Sequence, residues 1–212
     1  MRNALLLLMI LFLSCGQKKK YHDRTVQTAV NSDAIATIFA YQKSVNEEFK
    51  NPETSPLPDR FRKKFTGLDF YEPDTNYIVS AYFERTPDAI PFFMPTTTDR
   101  QSQEVVYGIA NFSLNGQEHQ LEVYQTIELK EEEGFEDYLF LPFLDDTNGV
   151  ETYGGGRYID LSIPEGDTLV IDFNKAYNPY CVYNKKYSCP LVPRQNYLKT
   201  KVLAGVKDFA KK

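Results

Sequence analysis

Two short stretches concentrate the residues with chemical capacity. One is Thr152-Tyr153-Gly154-Gly155-Gly156-Arg157; the other is Asp172-Phe173-Asn174-Lys175-Ala176-Tyr177-Asn178-Pro179-Tyr180-Cys181, followed closely by Cys189. They supply a guanidinium that can grip a carboxylate with two hydrogen bonds, a carboxylate suited to acid or base work, two thiols, and glycines that permit close backbone approach. One reading is a binding pocket made of Tyr153, Gly154, Gly155, Gly156, Arg157, Asp172, Asn174, Tyr177 and Asn178, holding a small polar or anionic molecule such as a sugar or carboxylate. A second is a cell-envelope hydrolase or transferase. Its catalytic candidates are Asp172, Cys181 and Cys189, with Arg157 and glycine-loop amides stabilising negative charge. A third makes the 15 tyrosines and 15 phenylalanines an interface to an unspecified envelope partner. Beside all three stands a plainer role for Arg157, as half of an ion pair that fixes strand register.

Other chemistries find no residues to carry them. The glycines are not followed by Gly-Lys-Ser/Thr and do not form a Gly-x-Gly-x-x-Gly turn, so they make no nucleotide loop. The carboxylates of Asp145 to Glu151 lack calcium-loop spacing. Zinc sites draw on Cys and His clusters, and His119 is the one histidine of the expected domain, so neither metal nor cofactor is expected. Cys181 and Cys189 have two open readings. In an exported protein they form a disulfide contributing about 2–3 kcal/mol by chain entropy. Alternatively one is a reactive thiol whose pKa is lowered by Arg157 or Lys175. The net charge of −5, with no basic cluster in the expected domain, excludes nucleic acid as a partner.

The N-terminus reads as an export signal. Arg2 precedes an apolar run from Ala4 to Leu13, then Ser14-Cys15-Gly16, which is the pattern of a secretory leader and far short of the roughly 20 residues of a spanning helix. Phe12-Leu13-Ser14-Cys15 resembles a lipobox, in which the leader is cut before a cysteine that carries lipid. The expected organisation is a signal peptide over 1–14, a lipidated tether over 15–32 beginning at Cys15, and a single β-rich domain over 33–212. The lipid on Cys15 would hold the protein to a membrane of the bacterial cell envelope, facing the periplasm. Lys18, Lys19 and Lys20 could each add about 1 kcal/mol of attraction to anionic headgroups.

The elements that must position these groups follow from periodicity. Asn31-Ser32-Asp33 offers a cap, and Ile35, Ile38, Phe39, Val45 and Phe49 recur at helical spacing until Asn51-Pro52. A further helical turn is expected over 59–65. Beyond Gly67 the period becomes two, with strands near 76–84, 104–114, 119–129, 137–143, 157–163, 168–174 and 197–203. The fold class is mainly β: an antiparallel β-sandwich or partly closed β-barrel with one N-terminal amphipathic α-helix. Asn115-Gly116 is a favoured two-residue turn that pairs Phe112 with His119 and Ala110 with Leu121, placing His119 on an apolar face as a hydrogen-bonded core residue. A second hairpin, turning at Glu165-Gly166, would set Arg157 opposite Asn174 and Ile159 opposite Asp172, with Leu161, Ile163 and Val170 sharing a face.

Asp146-Thr147-Asn148-Gly149, Thr152 to Tyr158, Asp172 to Cys181 and Ser188-Cys189-Pro190-Leu191 resemble the hallmark stretch of the bacterial family known as domain of unknown function 1684. Gly67-Leu68-Asp69-Phe70 and Met94-Pro95-Thr96-Thr97 extend the likeness more loosely towards the N-terminus. The chain departs from the family pattern in having Pro179-Tyr180 before Cys181 and Pro190-Leu191-Val192-Pro193 after Cys189. The resemblance implies one shared site built from these segments and implies no activity.

Overall fold

The computed structural model describes residues 22–209, with side chains from Ser32 onward. The expected signal peptide (1–14), Cys15 and the first residues of the expected tether lie outside the described residues. Among the described residues no helix is long and apolar enough to cross a membrane.

Helix α1 spans His22–Lys50, so it starts inside the stretch read as polar tether and ahead of the expected cap at Asn31-Ser32-Asp33. It stops where Pro52 follows Asn51, because a proline disfavours helical geometry in the residue before it. Its inward stripe runs through Ile38, Gln42 and Phe49, all buried, with Tyr41 and Val45 half-buried. This is the spacing of one helix face. Phe39, expected on that face, points outward and is exposed. A single turn, α2 (Asp59–Arg62), follows.

The rest is one antiparallel sheet curled into a half-barrel, with strands β1 (Ile78–Arg85), β2 (Phe92–Pro95), β3 (Gln101–Leu114), β4 (Gln117–Thr126), β5 (Tyr138–Asp145), β6 (Arg157–Ser162), β7 (Thr168–Asp172) and β8 (Tyr197–Leu198). The order is β6-β5-β4-β3-β1-β7, with β2 beside β3 and the short β8 parallel to β5. Six of the seven expected strands form near their expected bounds, and the last, expected over 197–203, is reduced to Tyr197–Leu198. The unexpected β2 pairs with the first part of β3, Met94 facing Ser102, while β1 pairs with the last part, Phe83 facing Ala110. A four-residue strand is too short to show a period.

The Asn115-Gly116 hairpin has the expected register, Leu114 to Gln117, Phe112 to His119 and Ala110 to Leu121. Asn115 and Gly116 have φ of 53° and 73°, which this turn requires. His119 is half-buried beside Phe112, but its Nε2 finds no hydrogen-bond partner. Inside the curl, Phe83, Ala110, Phe112, Leu121, Val123, Leu139, Leu141, Phe143, Ile159, Leu169 and Ile171 make the main core. A second apolar cluster with Met94, Tyr124, Phe140, Tyr158 and Cys189 lies on the opposite face. β5 lies in both clusters and is buried almost throughout, which accounts for its near-continuous apolar sequence.

The second expected hairpin does not form a ladder. β6 pairs with β5, Arg157 facing Phe143, while β7 pairs with β1, Asp172 facing Ile78. β6 and β7 are the two ends of the sheet order; the curl brings them within 8 Å (Cα–Cα), so the Pro164–Asp167 link joins edges without zipping them. The expected parity of β7 is also reversed. Pairing with β1 turns Leu169 and Ile171 inward and leaves Val170 exposed, because a one-residue slip moves every side chain to the other face.

Candidate functional site

The residues expected to form one pocket separate into three places. Arg157 opens β6 on the inner face and is sealed at 0% exposure. Its Nη2 donates to Asp145 Oδ2 at 2.8 Å and to the Val202 carbonyl at 2.9 Å. Nη1 donates to the carbonyls of Ala204 and Val206, and Nε alone has no acceptor. Asp145 is equally closed in: its Oδ1 accepts the Thr147 N–H at 2.8 Å. The register-fixing ion pair exists, but its acid is Asp145 at the end of β5, not Asp172. A guanidinium so enclosed cannot reach a ligand carboxylate.

The glycines serve this corner. Gly156, at φ 92°, packs so closely that a Cβ there would lie 2.6 Å from the Phe143 carbonyl oxygen, and a Cβ on Gly155 would lie 2.5 Å from the Tyr153 ring. Thr147 and Thr152 share a hydroxyl hydrogen bond of 2.8 Å beneath the turn. This is a tight corner feeding β6. Asp172 sits elsewhere, capping a short 3-10 turn: its Oδ1 accepts from the Asn174 backbone at 3.0 Å and from Asn174 Nδ2 at 2.9 Å. Asn174, itself buried, ties this turn to Asp74, whose N–H it accepts at 3.0 Å.

Tyr177 and Asn178 go to a third place, a cavity of about 470 Å³ on the outer face of β3 to β6, between that face, α1 and the segment 177–190. Seven tyrosines line it: Tyr41 from α1, Tyr138 from β5, Tyr158 from β6, and Tyr177, Tyr180, Tyr183 and Tyr187 from the covering segment. Three carboxylates join them, Glu48, Glu104 and Asp160, and no lysine, arginine or histidine is among the lining residues. Tyr177 and Tyr138 both donate to Asp160 Oδ1, at 2.6 and 2.8 Å. Tyr180 donates to Glu48 at 3.0 Å. Burial, and then the negative charge of Asp160, pushes the Tyr138 and Tyr177 hydroxyls above their ordinary range, so they remain neutral donors.

Glu104 is the anomalous group. It is 1% exposed and receives only the Ser102 hydroxyl at 2.7 Å and the Thr126 hydroxyl at 3.0 Å. Among the described residues it has no ion pair. Burial raises its pKa in spite of those two hydrogen bonds. The nearby cation Arg100 spends its guanidinium on Ser188, with Nε to Oγ at 3.1 Å and Nη2 to the carbonyl at 2.9 Å. Asn178 is fully buried, and its Oδ1 receives no donor.

Cys189 lies on the cavity wall and Cys181 packs behind it. Both are free thiols, and the Cys181 N–H donates to Cys189 Sγ at 3.2 Å. The hydrogen bond from the Cys189 thiol, followed by that of Thr97, outweighs burial and brings Cys181 down to about 6, while Cys189 is pushed up. The neighbouring thiol is the leading cause, rather than the expected Arg157 or Lys175. No group of His, Cys, Asp and Glu among the described residues is arranged to hold a metal.

The sequence assigns no role to Glu104, Asp160, Tyr41 or Tyr138, and Tyr158 enters only as the last residue of the family-like stretch Thr152 to Tyr158. For the residues of β5 and β6 the trace is alternation: positions 138 and 140 on β5, and 158 and 160 on β6, share the face opposite the core.

Comparison with known proteins agrees with this fold. The solution NMR structure of an uncharacterised protein from Haloarcula marismortui superposes with a TM-score of 0.64 at 30% identity, covering 84% of this chain and 96% of that one. No curated protein matches the chain significantly. The family model described as "Protein of unknown function (DUF1684)" matches residues 63–207, a span holding β1 to β8, the Arg157 corner and most of the cavity wall. The chain belongs to that family.

Proposed function

We propose that this protein is a non-catalytic binding protein whose tyrosine-lined cavity holds a small polar molecule, and that it works in the cell envelope, tethered by lipid on Cys15. The observation that carries the binding reading is the cavity itself. About 470 Å³ of space is walled by aromatic faces with a few convergent polar groups, the usual composition of a small-molecule site. The pocket first expected around Arg157 is replaced by this one, retaining Tyr177 and Asn178. The test is a thermal-shift screen of small polar metabolites against wild type and Tyr158→Ala. A ligand at a hundred times its Kd stabilises by about 2.7 kcal/mol. The expected result is a compound that stabilises wild type and not the variant; no stabilisation by any compound would overturn the reading. For the tether, Cys15→Ser should move the protein from the membrane fraction to the soluble one.

A second reading rests on the thiols, since Cys181 is held near 6 and Cys189 faces the cavity. Here the pair would do thiol chemistry or close as a disulfide. Thiol counting on denatured, unreduced protein separates the cases: two blocked cysteines remove the nucleophile and leave a bridge at the cavity wall.

A further inference from the structure

We propose that the ligand of this cavity is an organic cation, an alkylammonium ion held between Glu104 and Asp160 and packed against tyrosine faces. This rests on the binding reading above and names its ligand class. A carboxylate out of water needs a cation or a full set of donors, and Glu104 has two hydroxyls and, among the described residues, no ion-pair partner, the nearby Arg100 being hydrogen-bonded to Ser188. Asp160 receives both of its tyrosine bonds on one oxygen, Oδ1. The Asn178 oxygen, a further acceptor, is undonated. The open positions on the wall, buried at Glu104 and Asn178 and solvent-exposed at Asp160, therefore call for a hydrogen-bond donor or positive charge.

The rest of the wall suits the same ligand. Tyrosine rings attract ammonium groups to their faces, and at the rim the Lys186 ammonium already lies 4.8 Å from the Tyr187 ring centroid. An anionic ligand would meet three carboxylates and no basic side chain on the lining. A neutral polyol could satisfy the acceptors but would leave the charge of Glu104 uncompensated.

The experiment is titration of the reduced protein with choline, putrescine, the neutral choline isostere 3,3-dimethylbutan-1-ol, glucose and acetate. Calorimetry and tyrosine fluorescence are the readouts, the latter undisturbed because the chain has no tryptophan. The expected result is binding of choline or putrescine at least about tenfold tighter than the isostere, a difference of about 1.4 kcal/mol. Glu104→Gln should weaken that binding by about tenfold or more, and Asp160→Asn, on the exposed edge, provides an independent variant should E104Q fold poorly. Equal or better binding of glucose or the isostere overturns the cation assignment and leaves the binding reading standing. Preferential binding of acetate does the same. Failure of choline and putrescine to bind wild type overturns the cation assignment, while the binding reading is overturned only if the wider screen also yields no stabilising compound.

Discussion

Two buried carboxylates on opposite faces of one sheet have contrasting surroundings. Asp145, inside the curl, meets a guanidinium at 2.8 Å and a backbone N–H at 2.8 Å, and that guanidinium is itself saturated by chain carbonyls. Glu104, on the outer face, meets two hydroxyls, and its neighbouring cation is engaged elsewhere. The first acid has its partners supplied by the chain and is not among the residues lining the tyrosine cavity; the second is incomplete and lines it. Burial alone does not separate a structural charge from a functional one, since both acids are almost fully enclosed. The separation lies in whether the chain itself completes the hydrogen bonding.

The sharpest way to break this contrast is at Arg157. Arg157→Ala strands the Asp145 charge among backbone carbonyls and should cost about 3–5 kcal/mol in urea unfolding. The double variant Arg157→Met with Asp145→Leu should recover most of that loss, because apolar groups can replace a buried pair at little net cost. A single variant that unfolds like wild type but loses ligand would reverse the assignment and make Arg157 the binding residue.

Glu104→Gln should act in the opposite direction. Because burial raises the pKa of Glu104 in the folded protein, the folded state binds more protons than the unfolded chain between the ordinary value and the raised one. The contribution of Glu104 to stability is therefore fully present below the ordinary value near 4.5 and is lost as pH rises through the folded pKa. Gln removes that loss, so E104Q should be more stable than wild type at pH 7, on the order of 1 kcal/mol, and should flatten the pH dependence of Tm in this window. Destabilisation at pH 7 would show that Glu104 is complete as it stands, like Asp145.

The contrast also explains what the sequence made legible. The Asn115-Gly116 hairpin could be registered because a two-residue turn fixes its own strands locally. The β6–β7 pairing could not, because the choice between zipping the Pro164–Asp167 link and pairing β7 with β1 depends on a strand more than 80 residues earlier. That misplacement put Arg157 beside Asp172 and Asn174. Of the expected pocket, Tyr177 and Asn178 were found because they sit in one short polar stretch beside Cys181. Glu104, Asp160 and Tyr41 come from a strand, another strand and a helix, and become neighbours only when the 177–190 segment covers the sheet. No local pattern records that meeting.

The cysteines sharpen the comparison kinetically. With Cys181 held near 6 by the Cys189 thiol, alkylation of the reduced protein by iodoacetamide should follow a pH profile with its midpoint near 6, well below the ordinary value of 9. Cys189→Ala should move the midpoint upward by removing that hydrogen bond. An unchanged profile would mean that the thiols, like Asp145 and Arg157, are packed for structure and not poised for chemistry.

The smallest effect belongs to Tyr177→Phe. It deletes one of two hydroxyl donors to Asp160 Oδ1 and keeps the ring, while Tyr138 still donates at 2.8 Å. Asp160 is exposed to solvent, so water can replace the lost donor, and the cost should stay within about 0.5–1.5 kcal/mol. Calorimetric Tm measures it directly, against the far larger loss for Arg157→Ala. A cost as large as that of Arg157→Ala would mean that the tyrosine–carboxylate network braces the fold, so that the outer face, too, is completed by the chain and its cavity is a packing defect.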